Sequence, residues 1–544
     1  MVLFINDKFC SEKIKEKIEL IKIIRISNIY FLLPLILILS SQLKAQDTTE
    51  SLAFKNYRPK VRQRLFYRPN LAYQIWQHFK LVQDANKGNT LAQHELGLRY
   101  LLGKGFSTDT VKAAYWIKKA ADKGLAAASY NYGILLNNGW GTKWNPFSAF
   151  NYFMIAAKDG MPQAEQVVGL IYTDNLVVKR NWSKAYKWIK EAAKQKYKPA
   201  EIILAEFRKK INISSLDTTS VKGNKKNHLF TSSNNSMNTS LSSTLGLVYI
   251  DFHTITDTSS KIDNKLLLED ILHPGNEKLA KTLKLTTKND SSFSFDSTSL
   301  ALLKKFANNG SPEALTLLGR LYEKGFHFKK DILKAAVYYV RAIKLDSPRS
   351  FRLLWNLIKE NNFYKALQEL AKKKNPAALF TWYGLHIFGF DNNIVDEDAF
   401  NLLVQSANSN FIPALNELGL DYFTGKIVKQ NKEKAITIWK KAERLGSAGA
   451  KIRLIISNIF DDSLKNKILA TSIKGLKKAI TDGSVLAQAT LAYCYEYGIG
   501  VSKNIPDAVK YYRFATERGS QYAYNQLRKL YNSVRPSGKE FIIN

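Results

Sequence analysis

Hydrophobic positions recur along this chain with two nested periods. Within short stretches they fall three and four residues apart, the spacing of one face of an α-helix. The stretches themselves return at a fixed interval. Gly97, Gly133 and Gly169 are each 36 residues apart, and so are the pairs Ala120-Ala121, Ala156-Ala157 and Ala192-Ala193. Self-similarity of this length predicts helical hairpins stacked side by side, each burying its apolar face against its neighbours. In the first copy Leu96 and Tyr100 share a helix face with Gly97 beside them. Glycine is a poor helix former, so its return at one site calls for a packing reason: a second helix approaching where no Cβ stands. Gly103 and Gly105 end that helix, and Asp109 or Thr110 caps the next. Ala113, Trp116, Ala120 and Ala121 form its buried stripe, and Gly124 stops it.

The phrase fades after a fourth helix that starts near Ala200 and returns beyond residue 310. Gly319, Gly384 and Gly419 head later copies, while Leu354, Ile455 and Ala492 take the glycine position in the others. The pattern predicts three hairpins before the break, six after it, some degenerate, and a closing helix over 523–531. Trp116, Trp188 and Trp439, at repeat positions, are expected in the core. Helix angles should change where the glycine is replaced.

Between the arrays, residues 214–244 hold 19 Ser, Thr or Asn among 31. Such a stretch cannot bury enough apolar surface to offset its chain entropy and is read as a disordered linker. Residues 245–255 alternate in part, as a short strand would. Residues 265–272 and 278–285 look helical, and 297–308 reads as the second helix of an incomplete repeat. The expected organisation is residues 1–45, a signal peptide; 46–70, a basic leader; 71–211, the first array; 212–296, the linker or insert; 297–532, the second array; and 533–544, a tail.

Several positions at fixed spacing carry a resemblance. Leu96-Gly97, Tyr100, Gly103, Gly105, Asp109, Lys112-Ala113, Trp116, Lys119-Ala120-Ala121 and Gly124, and their counterparts over 487–519, resemble the Sel-one-like repeat family (SLR), relatives of tetratricopeptide repeats. The resemblance covers 92–207 and 311–532. It implies an all-α, right-handed α-solenoid of helix-turn-helix repeats, here interrupted by the polar insert, with a concave groove and a scaffold role. It implies no catalytic residues.

Composition narrows the class. Apolar residues are 45% and aromatics 12%, so the chain has material for a core despite a formal charge of +35. Cys10 and Cys494 are the only cysteines and make neither a disulfide framework nor a thiolate zinc site. Cys494 falls in an apolar helix stripe and reads as a buried thiol. A basic stretch over 13–25, the apolar run 29–39 and Leu43-Lys44-Ala45-Gln46 form the three parts of a secretory signal, with cleavage expected after Ala45. An uncleaved signal would leave a membrane-anchored form. Cleavage would remove a net +3 and leave +32. The following leader carries Lys55, Arg58, Lys60, Arg62, Arg64 and Arg68 with no acid among them, interleaved with aromatics. It suits an anionic envelope surface, or it is a solvated lead into the first helix.

A search for chemistry finds little. The seven histidines show no metal-ligand spacing. Gly97 to Lys104 departs from a phosphate-binding loop in length and in its final residue. No nucleophile elbow occurs. Asp396-Glu397-Asp398 sits at an expected helix start, where dipole complementation accounts for it. The chain is therefore expected to be no enzyme and to use no cofactor or metal. Candidate groove residues, taken from helix phase, are Gln93, Arg99, Asn131, Gln163, Arg320, Asn416 and Asp421. Trp140 and Trp144 lie in an inter-helix loop; Trp140 reads as the packed residue of the turn and Trp144 as the contact residue. The leading expectation is an exported repeat scaffold in the periplasm or cell envelope that binds a protein or peptide in its groove. The alternative is a polyanion or membrane-surface binder using Arg58, Arg62, Arg64 and their neighbours. Nucleic acid is not expected as the partner.

Overall fold

A computed structural model of the chain describes residues 71–210, 264–283 and 295–543, apart from 360, 361, 392, 426 and 462–465. The signal, the leader, most of the polar linker and the suggested strand lie outside these residues. Among the described residues the regular structure is helical throughout. The chain divides into two units. One holds Arg25–Lys226 with Arg528–Asn544, the other chiefly Asn227–Leu527.

The N-terminal unit opens with α1 (Leu71–Asn86) and continues as three antiparallel hairpins and a last helix. These are α2 (Thr90–Leu102) with α3 (Thr110–Asp122), α4 (Ala126–Asn138) with α5 (Pro146–Lys158), α6 (Pro162–Asp174) with α7 (Trp182–Lys194), and α8 (Lys198–Lys210). The caps follow the sequence closely. Asp109 accepts from the amides of Val111 and Lys112 to start α3, and Asn145 and Asn181 do the same for α5 and α7. One loop glycine is required by space: a Cβ on Gly141, at φ +65°, would run into the Thr110 carbonyl.

The helix glycines mark where the two helices of a hairpin touch. A Cβ on Gly97 would stand 2.5 Å from Ile117, one on Gly133 2.7 Å from Phe153, and one on Gly169 2.6 Å from Ile189. Each partner lies twenty residues further on. That residue, not the tryptophan, fills the gap. Trp116 and Trp188, expected in the core, sit one position earlier, so the helix turn carries their rings to a half-buried position beside the fully buried Ile117 and Ile189.

The second unit begins with two short helices, α9 (Asn264–Asp270) and α10 (Glu277–Thr282), and with α11 (Ser297–Asn308). Six helix pairs follow: α12 (Pro312–Lys324) and α13 (Ile332–Ile343); α14 (Pro348–Ile358) and α15 (Phe363–Lys372); α16 (Pro376–Ile387) and α17 (Asp396–Asn408); α18 (Ile412–Thr424) and α19 (Lys432–Arg444); α20 (Ala448–Ile459) and α21 (Asn466–Thr481); α22 (Val485–Tyr497) and α23 (Ile505–Glu517). The chain continues into α24 (Gln521–Ser533), somewhat longer than the closing helix read from the sequence.

The same rule operates here. Gly319 faces Tyr339 and Gly419 faces Trp439, each pair twenty residues apart and closer than a Cβ allows. Ala492 takes the small position twenty residues before Tyr512, and both are fully buried. At Ile455 the sizes are exchanged. Its partner twenty residues on is Gly475, where a Cβ would lie 2.8 Å from Ile455 Cδ1. At Leu354, α14 and α15 are short and pack little on each other. Instead α16 reaches past them to α13, and Gly384 meets Val340, where a Cβ would be 2.6 Å from Cγ1.

Lysines cover the outer tyrosines at matching places. Lys112 lies over Tyr100, Lys184 over Tyr172, Lys334 over Tyr322 and Lys434 over Tyr422, at 5.5, 5.3, 4.7 and 4.1 Å from the ring centres. Each such contact contributes about 0.5–1 kcal/mol at an exposed site.

Within the second unit the chain returns on itself. Arg518, fully buried, donates to both carboxylate oxygens of Glu313 at 3.0 and 2.8 Å, to Gln488 and to the Gly483 carbonyl. Asn276 and His273, from the segment joining α9 to α10, also reach Glu313. Burial alone would raise the Glu313 pKa, but the Arg518 guanidinium and His273 more than offset it and hold the carboxyl below its usual range. Val485 N donating to Gly310 O closes the same junction.

Two substitutions test these contacts. Gly419→Ala should cost about 1–3 kcal/mol in denaturant unfolding by forcing the Trp439 indole aside. Adding Trp439→Leu should make the glycine change nearly neutral, and equal cost in both backgrounds would show that the helices do not meet there. Arg518→Met should cost about 3–5 kcal/mol, because it strands the Glu313 carboxylate in the interior. Adding Glu313→Gln should return part of that loss.

Candidate binding surfaces

The residues singled out from helix phase are first-helix polar positions, and the structure shows what such positions do. Gln93 is buried and donates through Nε2 to the Ala85 carbonyl at 3.0 Å, tying α2 to α1. Asn131 Nδ2 donates to His94 Nε2 at 2.8 Å, tying α4 to α2. Burial pushes His94 down to about 4, against the opposing charge of Glu95, which fits a neutral ring accepting at Nε2. Arg99 pairs with Glu95 one turn back at 2.7 Å on a partly exposed face. Gln163 is half-buried near the start of α6.

Of the two loop tryptophans, Trp144 is the buried one. It is 7% exposed and meets Tyr531 edge to face at 5.3 Å, whereas Trp140 is 37% exposed. The reason is the C-terminal segment. Phe541 packs on Phe147 and Phe150, and Arg535 donates to the carbonyls of Leu176, Val177 and Phe541. Nothing in the local sequence around Trp144 signals a partner almost four hundred residues away.

In the second unit Arg320 donates to Glu323 at 2.7 Å and to Asn264 at 3.3 Å. Asn416 is buried; its Oδ1 accepts from Ser447 at 3.1 Å and its carbonyl from the Trp439 indole at 3.1 Å. Asp421 is buried and accepts from the Tyr383 hydroxyl at 3.1 Å. Burial, then the nearby Glu417, raise the Asp421 pKa to about 6, against the pull of Lys344 and Tyr383. Asn131, Asn416 and Asp421 therefore join neighbouring hairpins, and Gln93 joins the first hairpin to α1. Arg58, Arg62 and Arg64 lie outside the described residues. The candidates do not converge on one place.

Sequence reasoning missed the charged set beside Asn416: Glu417, with Lys344 at 3.2 Å and Arg453 at 3.7 Å. Lys344 and Arg453 lie in other hairpins, and each looks alone like a surface cation. Cys494 is buried as a free thiol, and burial pushes its pKa up to about 12, so it is no ready nucleophile. Asp396, Glu397 and Asp398 occupy the first turn of α17, where they complement the helix dipole. Among the described residues no group of three or more His, Cys, Asp or Glu is placed to hold a metal.

The Asp421 environment has a pH consequence. Its folded-state pKa lies above the ordinary 3.8, so folding binds a proton and stability falls as pH rises through about 4 to 6. Asp421→Asn keeps an acceptor for Tyr383 and removes this loss. The stability of the variant relative to the parent should rise by about 2–3 kcal/mol between pH 3.5 and 6.5 and then level off. Urea unfolding across that range measures it, and a difference independent of pH would refute the assignment.

A match to a known repeat family agrees with the hairpin pattern. The Sel1 repeat profile matches residues 90–125, 126–161, 165–197, 312–347, 412–447 and 485–520. The mouse protein DAP3-binding cell death enhancer 1 is 29% identical over 108 residues, 20% of this chain, and the chain spans about a fifth (21%) of that relative. Among solved structures, a protective antigen of uropathogenic Escherichia coli strains displaying an SLR fold is 20% identical over 84% of this chain and 91% of its own, with a TM-score of 0.28. A Sel1 repeat protein from Oxalobacter formigenes is 29% identical over 24% of this chain and 98% of its own, with a TM-score of 0.23. The chain thus carries six Sel1 repeats, each folded as a helical hairpin.

Proposed function

We propose that this protein is an exported, non-enzymatic scaffold that binds a protein or peptide partner through its repeat arrays. The observation that carries the reading is the set of six Sel1 repeats, a module that buries its own apolar stripe against its neighbours and leaves the outer faces for a partner. A mouse relative of the repeat region is named for binding another protein, which supports the same role. Because Gln93, Asn131, Asn416 and Asp421 are engaged within the arrays, contact falls to side chains that remain open. In the first repeat these include Leu91, Val111 and Tyr115, large apolar groups more than half exposed. Export is supported by the charged stretch, short apolar run and small residue before Gln46. No described helix is long and apolar enough to cross a membrane.

The basic leader supplies the competing reading, and the two differ in salt dependence. Residues 46–544 and 71–544 should capture the same envelope protein and keep it at about 300 mM salt, since apolar anchoring survives where counterion release does not. Loss of capture on removing 46–70, or at that salt, would overturn the scaffold reading in favour of a polyanion site. Sequencing of the mature N-terminus should begin at Gln46, and an intact Met1 would refute cleavage.

A further inference from the structure

One cavity in the second unit gathers charge from several repeats. It is small, about 40 Å³, and partly open to solvent. Its charged lining is Arg341 from α13, Lys344 just beyond it, Arg453 from α20 and Glu417 from α18. Three cations thus face one carboxylate in the lining, while Asp421, outside it, acts on Lys344 and not on the arginines. Glu417 serves two of the three cations, Lys344 at 3.2 Å and Arg453 at 3.7 Å, and neither contact is a close bidentate pair. Arg341 gives one hydrogen bond to the Ala307 carbonyl at 3.3 Å, and Arg453 one to the Gly449 carbonyl at 3.3 Å. Arg453 Nε is buried and, among the described residues, has no hydrogen-bond partner. Burial lowers the pKa of both arginines; Arg341 feels Arg453 as a further opposing charge, and Glu417 favours both cations.

Net positive charge largely withdrawn from water is costly unless something negative answers it. The backbone adds to the same sign. Pro413, Gly449 and Leu486, each the second residue of its helix, also line the cavity, so the N-terminal ends of α18, α20 and α22 face it. The C-terminal ends of α11 and α13 reach it too; the Ala307 carbonyl at the first is already taken by Arg341, and the second is the end that carries Arg341 and Lys344.

We propose that this cavity is a binding site for a small oxyanion, a phosphate group or a carboxylate, held by Arg341, Lys344 and Arg453. The arginines offer planar donors that match either group in pairs, and Lys344 adds a point charge. The site needs three separate hairpins in place, so a bound anion would also fasten them to one another. It does not depend on the protein-binding reading, and either can fail alone.

The test is a calorimetric titration of the full chain with inorganic phosphate at constant ionic strength, repeated with citrate. One of the two should bind saturably and raise the unfolding temperature. Phosphate alone would identify a phosphoryl ligand, citrate alone a carboxylate, and both outcomes uphold the site. Arg453→Gln should weaken that binding about tenfold or more, whereas Lys440→Gln, on an exposed face of α19, should leave it unchanged. Should Arg453→Gln fail to fold, Glu417→Gln decides. It removes the competing carboxylate and should tighten binding about fivefold, a gain that misfolding cannot imitate. Absence of saturable binding by both anions, or unchanged affinity in Glu417→Gln, would overturn the proposal.

Discussion

The close approach of two helices at a single point governs the architecture. A hairpin of this kind has one place where backbone must meet side chain, and the chain satisfies it by pairing a residue without a Cβ with a large one twenty positions later. Gly97 with Ile117, Gly133 with Phe153, Gly169 with Ile189, Gly319 with Tyr339 and Gly419 with Trp439 are five versions of one contact. The large member varies from isoleucine to tryptophan, so the constraint is on the gap and not on what fills it. Ile455 with Gly475 shows this most directly, because the small residue has moved to the other helix and the helices still meet. Leu354 shows the other outcome. Twenty positions later stands Lys374, which cannot complement it, and the pair α14–α15 shortens while α16 packs on α13.

Contact within a hairpin does not by itself align one hairpin with the next. Polar side chains on the first helices do that. Asn131 reaches back to His94, Asn416 forward to Ser447, and Asp421 back to Tyr383. A hydrogen bond buried between repeats is costly to break if one partner is left alone, so these contacts set register more than they add stability. The Arg518 and Glu313 pair applies the same logic at longer range, joining the start of α12 to the end of α23. A scaffold whose repeats are pinned in this way presents its outer side chains in fixed relative positions, which lowers the entropy cost of binding.

Much of this was legible in the sequence because it is periodic. The 36-residue interval located the hairpins, the Asp109 cap and the loop glycines, and the degenerate pair at Leu354 stands where the sequence put it. The partner of each glycine was equally periodic, yet the tryptophans at 116 and 188 drew attention one position away from the residues that fill the gap. Polar positions on the first helices were recognised, but sequence cannot separate a side chain facing solvent from one facing the next repeat; both leave the same mark on helix phase. Trp144, Glu313 and Glu417 were beyond reach for another reason. Their partners come from residues distant in the chain, and no local pattern records a contact that only folding creates.

The charge of the chain can be resolved on the same basis. Part of the excess is built into the repeat: Lys112, Lys184, Lys334 and Lys434 each lie over a tyrosine three positions after the helix glycine. A lysine there covers apolar ring surface with its stem and keeps its ammonium in water, so these four copies each add a positive charge at little electrostatic cost. Ser148 and Asp507 stand at the same place in two other copies. Arg341, Lys344 and Arg453 do not fit that account. They are largely withdrawn from water, lie around one carboxylate and come from two hairpins, α12–α13 and α20–α21. Solvation explains the surface lysines; these three require a counter-charge, and the amino-acid count of +35 conceals the difference between them.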